Sequence, residues 1–410
     1  MRSTRENRVQ RHSRGLGLGY LLYGVGLGWW SLTIAPEALS VLRFGTLGLV
    51  QLPTQHTLAM CSIVALITGV WGVVSTPASR LHPWSLGINV FGMVCSVLVW
   101  ASMHQRLEVL GLLAQSLRLA TPIALGALAG LLCERCGIIN IGIEGMMLSA
   151  ACLGFIVALY TTNTWLGVVA ALLVGCVMAA GHAGLTIHGK VDQIISGIVL
   201  NIFAVGITGF LRRSVLLQNP RGAPAVLPTW QIPLVSDMPG LGQILFRHQP
   251  LVYTTWLLVL VVHILLFYTP WGLRTRAVGE HPRAADTLGV HVYTVRYGNV
   301  IASGILAGLG GAWFSLETVG TFDDMMTGGK GFIALAAMIF GKWRPFGAFG
   351  GALLFGFVDA LQIKLQIVGV HVPYQFLSMA PYVVTMIVLA GLIGRAVPPA
   401  AVGLPYERSS

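Results

Sequence analysis

The chain has 410 residues, of which 55% are apolar types and only 10% charged, with a formal net charge of +11. Soluble domains carry about 25% charged residues, and disordered chains are poor in apolar ones. Both classes are excluded, and an integral membrane protein is left.

The chain opens with Arg2, Arg5, Arg8, Arg11 and Arg14 against Glu6, followed by a Gly-rich apolar run over 16–34. That run is long for a cleavable signal, and the arginines hold this end in the cytoplasm. A helix needs about 20 residues to cross a hydrocarbon core of about 30 Å. On that scale further spans are predicted at 56–75, 85–103, 109–132, 138–160, 164–187, 192–211, 251–269, 298–317, 346–363 and 374–394. The apolar piece 331–341 is too short for a comfortable span and reads as a half-helix or re-entrant segment. The expected fold is all-α, a polytopic helical bundle of about 11–12 spans including that segment.

Lys and Arg set the orientation. Arg80, Arg135 and Lys190 fall on the cytoplasmic side, as do Arg274, Arg276, Arg283 and Arg296 of the 270–297 connection, and both termini are expected there; Lys342, Arg344 and Arg395 join them if 331–341 crosses. The external 212–250 connection counts against this topology, because it holds Arg212, Arg213, Arg221 and Arg247 against Asp237 alone. Its prolines, Pro220, Pro224, Pro228, Pro233, Pro239 and Pro250, exclude a long helix and leave a structured cap or a docking surface. In the 270–297 connection, Pro282-Arg-Ala-Ala-Asp-Thr-Leu-Gly289 predicts a short helix with Pro at its start and Gly at its stop.

Chemical motifs are scarce. Cys133-x-x-Cys136 is a lone pair, and zinc needs four ligands, so no metal site is predicted. Gly328-Gly-Lys-Gly331 lacks the upstream Gly and the following Ser/Thr of a phosphate-binding loop. No catalytic residue is predicted, so uphill work would draw on an ion gradient or another subunit. The basic residues sit at the ends of apolar runs, where they meet anionic lipid of the bilayer rather than nucleic acid.

Two Gly-rich pieces, Gly137-Ile-Ile-Asn-Ile-Gly-Ile-Glu-Gly145 and Gly328-Gly-Lys-Gly-Phe-Ile-Ala-Leu335, each open an apolar stretch. Paired interruptions of this kind point to a pathway at a repeat interface. Glu144, between Gly142 and Gly145, reads as a pathway or gating group, or as a structural hydrogen bond within the bundle. Asn140 and Asn201 read as interhelical glue or as hydrogen-bond partners of a substrate. Gly329 and Phe332 complete the candidate path; an aromatic such as Phe332 can stack a base, though core packing explains it as well. Asp192, Asp323, Asp324 and Lys364 read as solvated interface, and Asp359 as solvated or facing a helix neighbour.

Four blocks then occur in one order. They are Leu131-Leu-Cys-Glu-Arg-Cys-Gly-Ile-Ile-Asn-Ile-Gly-Ile-Glu-Gly-Met-Met147, Val191-Asp-Gln-Ile-Ile-Ser-Gly-Ile-Val-Leu-Asn201, Trp271-Gly-Leu-Arg-Thr-Arg-Ala-Val-Gly-Glu-His-Pro-Arg-Ala-Ala-Asp286 and Gly328-Gly-Lys-Gly-Phe-Ile-Ala-Leu-Ala336. The set resembles the inner-membrane permeases of nucleoside-type and simple-sugar ABC importers, within the branched-chain amino acid/ribose-type permease family. The resemblance implies a transport subunit rather than an enzyme, with no cofactor of its own. Its partners would be an ATPase subunit that holds ATP and Mg²⁺, a second permease in a homo- or heterodimer, and an extracytoplasmic substrate-binding lipoprotein. The implied location is a bacterial or archaeal cytoplasmic membrane, and the implied solute is a nucleoside first and a simple sugar second. In this family a cytoplasmic Ala-Ala-x-x-x-Gly loop docks on the ATPase. Ala284, Ala285 and Gly289 match it, with Asp286 beside them. Arg283 stands where importers often carry Glu, so this loop would meet acidic groups on the ATPase.

The resemblance covers 107–396. It leaves an N-terminal extension, 1–106, with about three additional spans, and a C-terminal tail, 397–410. The extension is either a lipid-facing annex or a docking site for the second permease. A gradient-driven secondary transporter or facilitator is the alternative function, and scarce membrane carboxylates argue against it. A membrane enzyme would need a convergent nucleophile and base, which are absent from the sequence motifs.

Overall fold

A computed structural model describes residues 2–74, 82–103, 106–219, 226–369, 373–387 and 396–407. Arg80, Pro220, Arg221, Pro224, Arg395 and the last part of the predicted 374–394 span lie outside the described residues, as do the side chains of the five N-terminal arginines. The chain forms two compact units, one of 1–112 with 364–371 and one of 113–363 with 372–410.

In the first unit, α1 (Arg2–Thr33) packs on α2 (Thr54–Val74) through small residues. A Cβ on Gly17 would come within 2.8 Å of the Gly72 carbonyl carbon, and one on Gly69 within 2.8 Å of Leu21 Cγ. The absent side chains let the two backbones approach, as small-residue helix pairs do in lipid. Ser62 Oγ donates to Gly24 O at 2.6 Å across the same contact. After α1 the chain forms β1 (Leu39–Arg43) and β2 (Leu49–Pro53), joined by a helical turn at Gly45–Leu47. α3 (His82–Ala101) follows α2, and β3 (Arg106–Glu108) closes a sheet of order β2-β1-β3. β1 and β2 are antiparallel with Leu39 opposite Pro53, and β3 is parallel to β1 with Val41 opposite Arg106. Only spans were expected here. The strands are too short to show a two-residue periodicity against an apolar background.

The second unit holds most of α4 (Val109–Arg135), then α5 (Ile143–Thr161), α6 (Thr164–Ala183) and α7 (Gln193–Leu211). Asn163 and Asp192 cap α6 and α7 by accepting from the first free N–H groups, which gives Asp192 a structural role at an exposed helix end. A two-stranded ribbon, β4 (Trp230–Gln231) with β5 (Arg247–His248), encloses the one-turn helix α8 (Leu241–Leu245). Next come α9 (Pro250–Tyr268), α10 (Pro270–Glu280), α11 (Pro282–Thr287) and α12 (Val292–Ala312). The last three helices are α13 (Lys330–Phe340), α14 (Pro345–Val368) and α15 (Tyr374–Ile387). α6, α7 and α12 each run on into a wider π-helical turn, at Gly184–His188, Arg212–Leu216 and Trp313–Val319.

Eight helices among the described residues are long and apolar enough to cross a membrane. The expected all-α polytopic bundle stands, with short strands confined to connections. The predicted span at 138–160 is corrected at its start, because α5 begins at Ile143 and residues 137–142 are not helical. Gly137 has φ +90, which ends α4 and turns the chain into that stretch.

α4, α5 and α12 form the interior of the second unit, while α6, α7 and α9 turn apolar side chains such as Val177, Ile202 and Leu257 outward. Bonds between connections define the two ends. At one end Arg212 meets Asp323, Leu227 N–H donates to Leu316 O, and Gln249 Nε2 donates to Glu317 O. At the other, Arg135 reaches Trp343, and residues 400–407 meet Gly137, Lys190, Gly279 and Arg296.

Candidate translocation site

The two Gly-rich interruptions meet. α13 starts behind Gly329, whose φ is +77 and which offers no side-chain cap. The first N–H groups of such a helix have no partner within it. Glu144, in the first turn of α5, supplies one. Its Oε1 accepts from Gly329 N–H at 2.8 Å and from Thr327 Oγ1 at 2.6 Å, and its Oε2 accepts from Gly331 N–H at 2.6 Å. A carboxylate at the positive end of a helix is stabilised by the aligned peptide dipoles. Gly331 is required for the approach, since a Cβ there would lie 2.7 Å from Glu144 Cα.

The start of α5 is held from α7. Asn201 Oδ1 accepts from Gly145 N–H at 2.8 Å, and Asn201 Nδ2 donates to Ile141 O at 3.1 Å. Both ends of its amide are thereby used. The non-helical 137–142 stretch is held by Gln193, whose Oε1 accepts from Ile139 N–H at 2.6 Å, and by His182, whose Nε2 is 2.9 Å from Ile139 O. These partners answer the demand that backbone groups at membrane depth be satisfied within the protein.

The far end of α13 is fixed by the same sequence block. Arg135 donates from Nε and Nη2 to Trp343 O at 3.0 and 2.7 Å, and Trp343 Nε1 donates to Glu134 Oε2 at 2.6 Å. The 131–147 block therefore grips α13 at both ends. At 11 residues, α13 is about 16 Å long, half of a hydrocarbon core of about 30 Å. It is a half-helix, as its length predicts.

Around this lock, Lys330 pairs with Asp359 of α14, a carboxylate only 4% exposed, and Tyr382 of α15 donates to Gly328 O at 3.1 Å. Phe332 and Tyr382 keep about half of their surface exposed. Of the residues named from sequence, Glu144, Asn201, Gly329 and Phe332 gather at the interrupted segments. Asn140 does not join an open surface: it is 0% exposed, with Nδ2 3.6 Å from Cys133 Sγ and 3.7 Å from Met146 Sδ. Thr327, Lys330, Asp359 and Tyr382 were missed as members of the cluster. For Lys330 the adjoining Gly-Gly was a usable signal, whereas Asp359 and Tyr382 reach the cluster from other helices.

The predicted short helix of the 270–297 connection is α11, which ends one residue before the cap Leu288. Gly289, φ +83, closes it with N–H to Asp286 O at 2.9 Å, and Val290 N–H reaches Ala285 O at 3.0 Å. This paired bonding is the Schellman stop that Gly supports. Arg283, Ala284 and Gly289 are exposed, Asp286 is half-buried, and Ala285 is buried beneath the helix against Val278, Val292 and Tyr406. Leu288, not singled out from sequence, is 85% exposed beside Gly289.

At the opposite end, Arg212 bonds Asp323 at 2.6 Å and Asp324 at 3.1 Å, beside a cleft of about 190 Å³ whose lining includes Phe155, Phe322 and Asp323. The two aspartates, expected to be simply solvated, are exposed but paired. Arg247 similarly pairs with Asp237 at 3.1 Å.

A polytopic helical bundle with a half-helix gripped by a broken span has the architecture of a membrane transport subunit. The family model of the branched-chain amino acid transport system permease component matches residues 112–393, and the chain belongs to that family as a multi-pass membrane protein. It is 39% identical over 299 residues to the guanosine ABC transporter permease protein NupQ of Bacillus subtilis (strain 168), a match covering 70% of this chain and 93% of NupQ. It is 40% identical over 310 residues to the nucleoside ABC transporter permease protein NupC of Lactococcus lactis subsp. cremoris (strain MG1363), covering 73% and 97%. Identity to the putative glucose ABC transporter permease protein TsgC13 of Haloferax volcanii is 37% over 302 residues, covering 68% and 91%. No solved structure matches the chain.

Proposed function

We propose that this chain is the permease subunit of an ABC importer that passes nucleosides into the cell, with simple sugars as the second solute class. The observation that carries the reading is the lock between the two broken segments, in a chain similar to NupQ and NupC over most of their length. The charges near the candidate path are internally compensated: Glu144 by helix N–H groups and Lys330 by Asp359. A compensated wall suits an uncharged polar solute better than an ion, and the exposed rings of Phe332 and Tyr382 can stack a nucleobase.

In this reading residues 107–396 are the permease core, 1–106 a membrane annex and 397–410 a tail. By the positive-inside rule, Arg135, Lys190, Arg274, Arg276, Arg283, Arg296, Lys342 and Arg344 support a cytoplasmic reading of the end bearing α10 and α11, and we read both termini as cytoplasmic as well. Arg283, Ala284, Ala285, Asp286 and Gly289, with Leu288, then form the docking point of a partner ATPase carrying ATP and Mg²⁺. Arg283, Ala284, Leu288 and Gly289 present the outer face, and Ala285 seats the helix. A second permease and an external binding lipoprotein complete the importer in the cytoplasmic membrane.

The test is uptake of tritiated guanosine and of labelled glucose by proteoliposomes holding the assembled complex. ATP-dependent guanosine uptake, insensitive to protonophore, is expected. Uptake by this chain alone that collapses with the proton gradient would overturn the reading in favour of a secondary carrier.

A further inference from the structure

We infer that the C-terminal tail, Ala400–Glu407, is a strap that seats α11 and ties it to the broken segment leading to Glu144, so that Tyr406 is a positioning residue for coupling. The inference rests on the importer reading for its function, while the strap itself is geometric.

The tail meets five parts of the second unit within a few residues. Ala400 N–H donates to Glu280 Oε2 at 3.1 Å and Ala401 N–H to Gly279 O at 2.9 Å, which fixes it along the end of α10. Gly403 N–H donates to Gly137 O at 3.2 Å. Tyr406 is 5% exposed, packs with Val278, Ala285 and Val292, and stacks edge-on against Tyr293 at 5.4 Å. Tyr293 OH donates to Tyr406 O at 3.4 Å, and Lys190 pairs with Glu407. The last pair is solvent-exposed and adds little. The inner contacts hold the strap.

Two features make the strap more than a passive tail. α11 is only six residues long, and a helix of that length has no stability of its own in water. Its one buried side chain, Ala285, rests on Tyr406 and its neighbours. The second feature is Arg296, 2% exposed, which donates from Nη1 to Leu404 O at 3.3 Å and has its guanidinium 5.9 Å from the Tyr406 ring centre. Its Nε and Nη2 have no partner among the described residues. A buried cation is costly unless its surroundings compensate it, and the Leu404 carbonyl and the Tyr406 ring, both on the tail, supply part of that compensation. Docking of the tail is therefore coupled to the burial of Arg296. A continuous set of contacts follows, from Ala285 through Tyr406 and Gly403 to Gly137, then along the chain to Glu144 and the start of α13. Motion of α11 has a physical route to the half-helix.

The strap is tested on the full chain in detergent by hydrogen exchange of wild type, Tyr406→Ala and Tyr406→Phe. In Tyr406→Ala, amides of 285–290 and of 136–138 are expected to exchange about tenfold faster or more, with α5 and α6 unchanged. Tyr406→Phe, which keeps the ring and its packing, is expected to lose less protection than Tyr406→Ala. A chain ending at Pro398 reaches the same result by another route if Tyr406→Ala does not fold. Unchanged protection of 285–290 in both overturns the strap. In the assembled complex, Tyr406→Ala is expected to lower guanosine uptake per ATP hydrolysed by about tenfold with the ATPase still bound, because positioning rather than assembly is lost. Undiminished uptake per ATP overturns the coupling role. Absence of ATP-driven guanosine uptake by wild type would instead strike the importer reading and leave the exchange result standing.

Discussion

At the scale of single residues, Glu144 links the two interrupted segments. Its carboxylate accepts three hydrogen bonds, two from helix N–H groups. Glu144→Gln replaces one acceptor with a donor facing an N–H or a hydroxyl and removes the charge. The cost expected is about 1 kcal/mol, that of losing hydrogen bonds to a part-buried polar group. It is read as a lower thermal midpoint of the purified chain, with guanosine uptake falling as well. A midpoint equal to wild type would contradict the lock. The surroundings of Asn140 and Asn201 favour the interhelical-glue alternative, since Asn201 spends both amide ends on α5 and its approach, and Asn140 is enclosed. A sequence identifies such residues by their scarcity in apolar context, but not which way they face.

At the scale of elements, the ribbon of β4 and β5 carries a pH-sensitive group. Burial pushes the His248 imidazole below its ordinary value of 6.5, with nearby Arg118 acting in the same direction and the hydrogen bond to Ile244 O opposing. A histidine depressed in the folded state binds protons more readily when unfolded. Its contribution is therefore present above about 6.5 and is lost as pH falls from there through the folded value. Local opening of 230–248, followed by hydrogen exchange after correction for the intrinsic rate, is expected to become easier between pH 7.5 and 5.5. His248→Asn is expected to flatten that dependence, and an unchanged slope would show that the histidine plays no part. The ribbon also explains how a basic, Pro-rich connection folds: within it Arg247 pairs with Asp237, while Arg212 at its start is matched by the aspartates of another connection.

At the scale of the molecule, the first unit has a small core of its own, with Leu27, Ile34, Ala38, Leu58 and Val99. A unit with its own core is expected to be separable. Deleting residues 2–106 should leave a chain that inserts and elutes as one species in detergent, measured by fluorescence size exclusion. Aggregation would show instead that the core depends on the annex. The match to NupQ covers 93% of that protein but 70% of this one, so a substantial part of this chain lies outside it. The sequence alone determined the membrane class, most spans, the half-helix and the stop at Gly289, because hydropathy, length and backbone permissiveness are local properties written residue by residue. It also carried the family, through four ordered blocks. Only the tertiary structure decided that Glu144 caps α13, that Asp359 neutralises Lys330, that Ala285 points inward and that the tail holds Arg296. Those are choices of partner between residues far apart in the chain, and in an apolar sequence nothing local states which buried polar group will satisfy which.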